Sequence, residues 1–154
     1  MTDSIEWRGE FESAEVSLLH ADAFGSTSDA APGTSDAAQE TDWRWLVRAH
    51  SLGWVTARGE DRRLIGFVNV IWDGGAHAWI QDVMVSSSAR HRGVGTRLVA
   101  LARGAGTRAG CTWLHVDFAE NLGPFYLEAC GFQPTAAGLM RLNRLDRFDP
   151  VEHP

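Results

Sequence analysis

The chain has 154 residues, 44% of them apolar, and a formal net charge of −6. That length fits a single domain over residues 1–154, with enough apolar surface for a core. No apolar run approaches the ~18 residues of a membrane span, and the acidic balance argues against nucleic acid as a partner. All 14 basic residues are arginines, which excludes a Walker-type phosphate loop and Schiff-base chemistry, since both need a lysine. The charge is uneven: residues 1–61 hold 12 acids and 4 arginines, residues 62–154 hold 8 acids and 10 arginines. An acidic first half suits attraction of a cationic substrate such as an amine, or simply a solvated surface. Two cysteines, Cys111 and Cys130, are too few for a disulfide scaffold. The first residues lack the basic and apolar regions of a secretory leader, so a cytoplasmic location is expected. The six histidines show no metal-ligand spacing, and no metal is expected.

In chain order, residues 5–8 alternate like a strand. Residues 12–24 follow helical spacing, with Val16, Leu19 and Ala23 on one face and Glu12 and Glu15 at the start. Residues 25–41 contain no large apolar side chain and read as a mobile loop, either disordered or a lid over a substrate. Asp42 is placed to cap a second helix over 43–50. Strands are expected at 54–57 and 64–72. Asp73-Gly74-Gly75 is a hairpin signal that pairs the latter antiparallel with 77–85. Val94, Leu98, Leu101, Ala102 and Ala105 form the apolar stripe of a helix, interrupted by Gly104 and Gly106 and ended by Gly110. A strand at 112–118 follows, and strand–helix–strand of this length implies a parallel crossover. Pro124 suits the start of a short helix that Gly131 stops. Residues 132–134 and 139–142 look like a closing hairpin, and 146–154 form a polar tail. There is no internal repeat.

The most informative stretch joins the strand ending Asp82-Val83-Met84-Val85 to the helix through Arg90-His91-Arg92-Gly93-Val94-Gly95-Thr96. A helix start leaves backbone N–H groups unpaired, with partial positive charge behind them, and glycine lets a bulky anion approach. Arg90 and Arg92 add full charges. The pattern reads as a phosphate or pyrophosphate site, with a tight turn as the plainer alternative.

The pattern Val83-x-Val85, then Arg90-x-x-Gly93-x-Gly95, then an amphipathic helix resembles the acetyl-CoA-binding motif of the GNAT superfamily of acyl-CoA N-acyltransferases. The resemblance implies an α/β fold whose mixed, mostly antiparallel central sheet splays into a V, with helices on both faces. It implies that backbone amides of Arg90, His91, Arg92, Gly93, Val94, Gly95 and Thr96 hold the pyrophosphate of acetyl-CoA. The strand edge at Val83, Met84 and Val85 would bond the pantetheine arm, and Val85 or Met84 N–H could polarise the thioester oxygen. Phe125-Tyr126 with Gly131-Phe132 resembles the second signature of the family, in which a tyrosine on a short helix precedes Gly-Phe.

Tyr126, the only tyrosine, thereby falls where the general acid of the family lies. A phenol can protonate a departing thiolate; the plainer reading is an aromatic packing residue. The attacking amine must be neutral, and Asp82 is the first candidate to take its proton, because apolar neighbours would raise its pKa. Asp117, His115, His77 or water are alternatives, as is an Asp82 that merely pairs with an arginine. Asn121 lies five residues before Tyr126, where many family members place their asparagine seven before it. Cys130 reads as a small buried hydrophobe rather than a nucleophile. Trp43, Trp45 and Trp54 lie on the substrate side, so one or two would line an acceptor pocket. The expected activity is acetyl transfer from acetyl-CoA to a primary amine of a small acceptor, by direct attack in a ternary complex, without a membrane partner. A non-catalytic acyl-CoA-binding module is the alternative, and the oligomeric state is open, a homodimer included.

Overall fold

The computed structural model describes residues 3–25 and 41–142. Most of the predicted loop at 25–41 and the whole polar tail at 146–154 lie outside the described residues. Five strands form one sheet in chain order: β1 (Ser4–Trp7), β2 (Ser51–Arg58), β3 (Leu64–Trp72), β4 (His77–Val85) and β5 (Trp113–His115). The first four pair antiparallel; β4 and β5 pair parallel, joined by the helix α3 (Val94–Arg108). Asp73 makes the β3–β4 hairpin by accepting from the Gly75 and His77 amides.

Two further helices precede β2. α1 (Ser13–Phe24) starts with a capping box in which Glu12 and Glu15 bond each other's backbone amides. α2 (Trp43–His50) is capped by Asp42, whose carboxylate accepts from the Trp45 amide. The sheet separates two apolar clusters. On one face Val16 and Leu19 of α1 and Trp43 and Val47 of α2 pack with Phe11, Phe67 and Met84. On the other, Val94, Leu98, Val99 and Ala102 of α3 pack on Val55, Val68, Val70 and Ile80. The amphipathic periods read in the sequence are thus the two faces of one sheet.

The structure departs from the predicted elements at four places. β2 begins at Ser51, not Trp54, because the chain passes straight from α2 into pairing with β3. α3 runs unbroken through Gly104 and Gly106, since Ala102 and Ala105 on either side are buried against the sheet. β5 pairs for only three residues of the expected 112–118. The closing hairpin is absent: residues 131–142 carry no regular structure, and Pro134 has no amide to donate. Among the described residues, no helix is long and apolar enough to cross a membrane.

Candidate active site

The site begins with an irregularity in β4. Asn69 pairs with Gln81 and Phe67 with Met84, so the single residue Val68 faces both Asp82 and Val83. This is a β-bulge, and Asp82 absorbs it with a left-handed φ of 53°. Aspartate tolerates that region better than most residues. The parallel pairing of β4 with β5 stops at Trp79 and His115, just before the bulge. Beyond that point the two strands part, and no strand among the described residues pairs with the outer edge of Gln81–Val85. The opening is the splay that the family resemblance implied. It leaves edge N–H and C=O groups to bond something other than a strand.

One end of the opening is closed by the loop into α3. Ser86 donates its amide to Ile65 O at 2.8 Å and Ser87 to the Asp22 carboxylate at 2.8 Å. His91 (φ 60°) and Gly93 (φ 75°) turn the chain, and Gly93 is the N-cap of α3. The first intrahelical bond runs from Arg97 N to Gly93 O, so the amides of Val94, Gly95 and Thr96 come before the helical ladder. No side chain caps them. A Cβ on Gly93 would meet nothing within 4 Å, so the space over this helix start is open. Gly95 differs: a Cβ there would come within 3.0 Å of the Phe125 ring, so its lack of side chain lets the helix start pack on the next element.

The arginines expected to hold phosphate have protein partners. Arg90 donates to Ala23 O at 2.9 Å, which supplies a cation to the C-terminal end of α1, whose own last turn has none. Arg92 reaches both oxygens of Asp3 at 3.1 Å, and Arg97 approaches the same carboxylate at 3.5 Å. The loop is therefore tied to α1 and to the chain before β1.

Tyr126 lies in a short π-helix (Pro124–Ala129). It is 6% exposed and stacks on Phe118, with ring centroids 4.8 Å apart at 25°. Phe125 packs edge-on against it and also touches Gly95. The two rings together link the continuation of β5 to the start of α3. Burial, followed by the neighbouring Cys130, pushes its phenol up to about 12. Its hydroxyl has no partner among the described residues, yet none of their buried side-chain nitrogens or oxygens is orphaned, so the oxygen keeps access to solvent. Burial likewise pushes the Cys130 thiol up, against the opposing charge of Arg103, which makes it a poor nucleophile.

Asp82 is half-buried at the bulge. Burial pushes its carboxyl up, opposed by the Asn69 amide and the charge of His20. It makes no ion pair with an arginine among the described residues. Two of the alternative bases are bound to each other: His77 Nδ1 and His115 Nε2 are 2.8 Å apart, and His115 stacks on Trp79. Asp117 is exposed past the end of β5. Of the tryptophans, Trp43 packs on Phe67 and donates to Ser17, and Trp54 packs on Phe11 and donates to Gly9 O. Trp43 is buried in the core, Trp54 is partly buried against it, and Trp45 is 60% exposed. Asn69 escaped the sequence reading, although one asparagine inside the apolar run 64–72 was a usable signal.

A cavity of about 770 Å³ lies between α3, β5 and residues 130–138, lined by Arg103, Cys111, Trp113 and Cys130 among others. It includes neither Tyr126, Asp82 nor the 90–96 loop. No group of three or more metal-ligating side chains occurs among the described residues.

The fold is shared with solved acetyltransferases. Glucosamine-6-phosphate N-acetyltransferase from Arabidopsis thaliana superposes with a TM-score of 0.67 at 19% identity, over 92% of this chain and 99% of that one. AAC(6')-Iy, solved with the bisubstrate analogue CoA-S-monomethyl-acetylneamine, gives 0.69 at 21%, over 94% and 99%. A chain described as a transcriptional regulator from Bacillus halodurans C-125 gives 0.70 at 18%, over 92% and 100%. These identities establish a common fold. No curated protein matches the chain. The acetyltransferase (GNAT) family profile matches residues 16–132, well over half the sequence, and the chain belongs to that family.

Proposed function

We propose that this protein transfers an acetyl group from acetyl-CoA to a primary amine of a small acceptor, by direct attack in a ternary complex. One observation carries the reading. β4 and β5 part beyond Trp79 and His115, and the chain also carries an uncapped helix start beside an open Gly93 and the solvent-reaching hydroxyl of a buried tyrosine. Those groups would serve as an anion cradle and a proton donor flanking one slot.

Bound in that slot, acetyl-CoA supplies an activated acetyl thioester. The amides of Val94, Gly95 and Thr96 and the loop from Arg90 would hold its pyrophosphate. Gly93 keeps the approach clear. The free edge of Val83, Met84 and Val85 would bond the pantetheine amides and direct an N–H at the thioester oxygen. Asp82, half-buried on the same strand, would accept the proton of the attacking amine. Tyr126 would donate a proton to the leaving sulfur. A phenol at about 12 is a weaker acid than a free one, but the burial that raises it also raises the basicity of a thiolate formed beside it, as it raises the Cys130 thiol. The raised Cys130 thiol favours direct attack over an acyl-cysteine route.

Thiol release from acetyl-CoA, screened over a panel of small primary amines, tests the proposal. Amine-dependent release together with acetylated amine supports it. Tight CoA binding with no turnover on any amine would overturn it in favour of a non-catalytic acyl-CoA-binding module.

A further inference from the structure

Asn69 sits in the middle of apolar β3 and is 3% exposed. Burying an amide without hydrogen bonds is costly, so its placement needs a reason. Ser51, at the first residue of β2, donates its hydroxyl to Asn69 Oδ1 at 2.5 Å. In this arrangement the carbonyl end of the amide is occupied by Ser51. The donor end, Nδ2, is left to serve another group. Asn69 is paired with Gln81, one residue before the bulge. Strict alternation would send Asp82 to the opposite face of the sheet; the left-handed φ of 53° turns it back toward Asn69 and toward His20 of α1. A carboxylate accepts only, so it matches an amide whose carbonyl is already taken.

We propose that Asn69, locked by Ser51, is the positioning residue for Asp82, holding its carboxylate toward the opening in its proton-accepting form. The catalytic purpose of this contact rests on reading Asp82 as the amine's proton acceptor. Around the carboxylate, β3 presents Phe67, Val68 and Asn69, none of them ionisable. From α1, His20 favours the charged carboxylate when protonated. Asp117 lies past β5 and is exposed. Removing the Asn69 amide should therefore favour the neutral acid, and the acid limb of the pH profile should move to higher pH.

The experiment is a carboxyl ¹³C titration of Asp82, assigned by its disappearance in Asp82→Asn. It is run on wild type, Asn69→Leu, Ser51→Ala and His20→Gln, beside pH profiles of kcat/KM. The expected result is a raised Asp82 midpoint in Asn69→Leu and a smaller rise in Ser51→Ala. kcat/KM at neutral pH should fall about tenfold in Asn69→Leu, with the KM for acetyl-CoA unchanged. His20→Gln separates the imidazole's share. An unmoved midpoint in folded Asn69→Leu would overturn the proposal. A midpoint unmoved in Ser51→Ala but raised in Asn69→Leu would overturn the lock. Should Asn69→Leu fail to fold, Ser51→Ala decides. Full turnover by Asp82→Asn would overturn the base assignment, while the titration would still report whether Asn69 holds the carboxylate.

Discussion

Tyr126 combines two properties that pull apart in most proteins: a ring buried among Phe118, Phe125 and Phe132, and an oxygen without a partner among the described residues. As the lone tyrosine, it can be titrated cleanly by near-ultraviolet absorbance. The folded protein should ionise near 12 and the denatured chain near 10. The fold thus favours the neutral phenol, so Tyr126 should cost stability as pH rises above about 10, the cost levelling off beyond the folded value. A folded midpoint near 10 would mean that the phenol is not desolvated. Tyr126→Phe keeps the ring, so CoA affinity should hold while turnover falls about 10²–10⁴-fold. The defect should shrink with an acyl donor whose thiol is more acidic. Turnover within about threefold of wild type would remove Tyr126 as the acid, and lost CoA binding would make it a packing residue. Asp82 permits a separate check. Its ionised form is disfavoured by burial, so Asp82→Asn should be at least as stable as wild type at neutral pH while losing activity. Asp82→Ala should be less stable than Asp82→Asn by about 1–2 kcal/mol, because alanine resists the left-handed region. Equal stability of the two variants by chemical denaturation would count against the strained bulge. The sequence disclosed the residue types at these positions but not the bulge. A one-residue insertion in the pairing leaves the apolar run of β4 unchanged, so nothing in the period signals that Asp82 is turned toward Asn69.

At the scale of elements, the strand–loop–helix unit from β4 to α3 was legible because each part carries its own signature. The apolar run, the two glycines and the 3.6-residue stripe each specify a local conformation. The arginine partners were not legible. Asp3 and Ala23 are distant in sequence, and only the fold brings them to Arg92 and Arg90. These contacts give the loop a second duty, fastening α1 and the first residues to the α3 start. Gly93 tests the proposed anion role apart from that duty, since a side chain there would meet nothing within 4 Å. Gly93→Ala must hold φ 75° with a side chain and should lose about 1–2 kcal/mol of stability. Gly93→Glu adds a negative charge over the uncapped amides and should abolish CoA binding by calorimetry. Unchanged affinity in Gly93→Glu would show that the loop is only a turn. Residues 112–118 taught the opposite lesson. Their strand-like composition was correct, but pairing stopped at His115 because β4 bends away at its bulge, and no local propensity encodes what a neighbouring strand does.

The whole molecule is a mixed sheet with helices on both faces, and that much followed from period and order: helical stripes, alternating runs and a hairpin triplet agree on one layout. The missing closing hairpin is a tertiary matter, since residues 139–142 have an alternating pattern but no strand edge taken up beside them. Their Leu139, Met140 and Leu142 are largely exposed. At this scale the central proposal is that the β4–β5 opening joins two substrates directly. A paired time course tests it. Acetyl-CoA and an amine that scores in the panel are mixed with the enzyme, and CoA thiol, acetylated amine and intact protein mass are followed together. Thiol and acetylated amine should appear one to one, only when both substrates are present, with the protein mass unchanged throughout. Thiol release without amine, or an acetylated protein forming and decaying ahead of the product, would contradict direct transfer in a ternary complex.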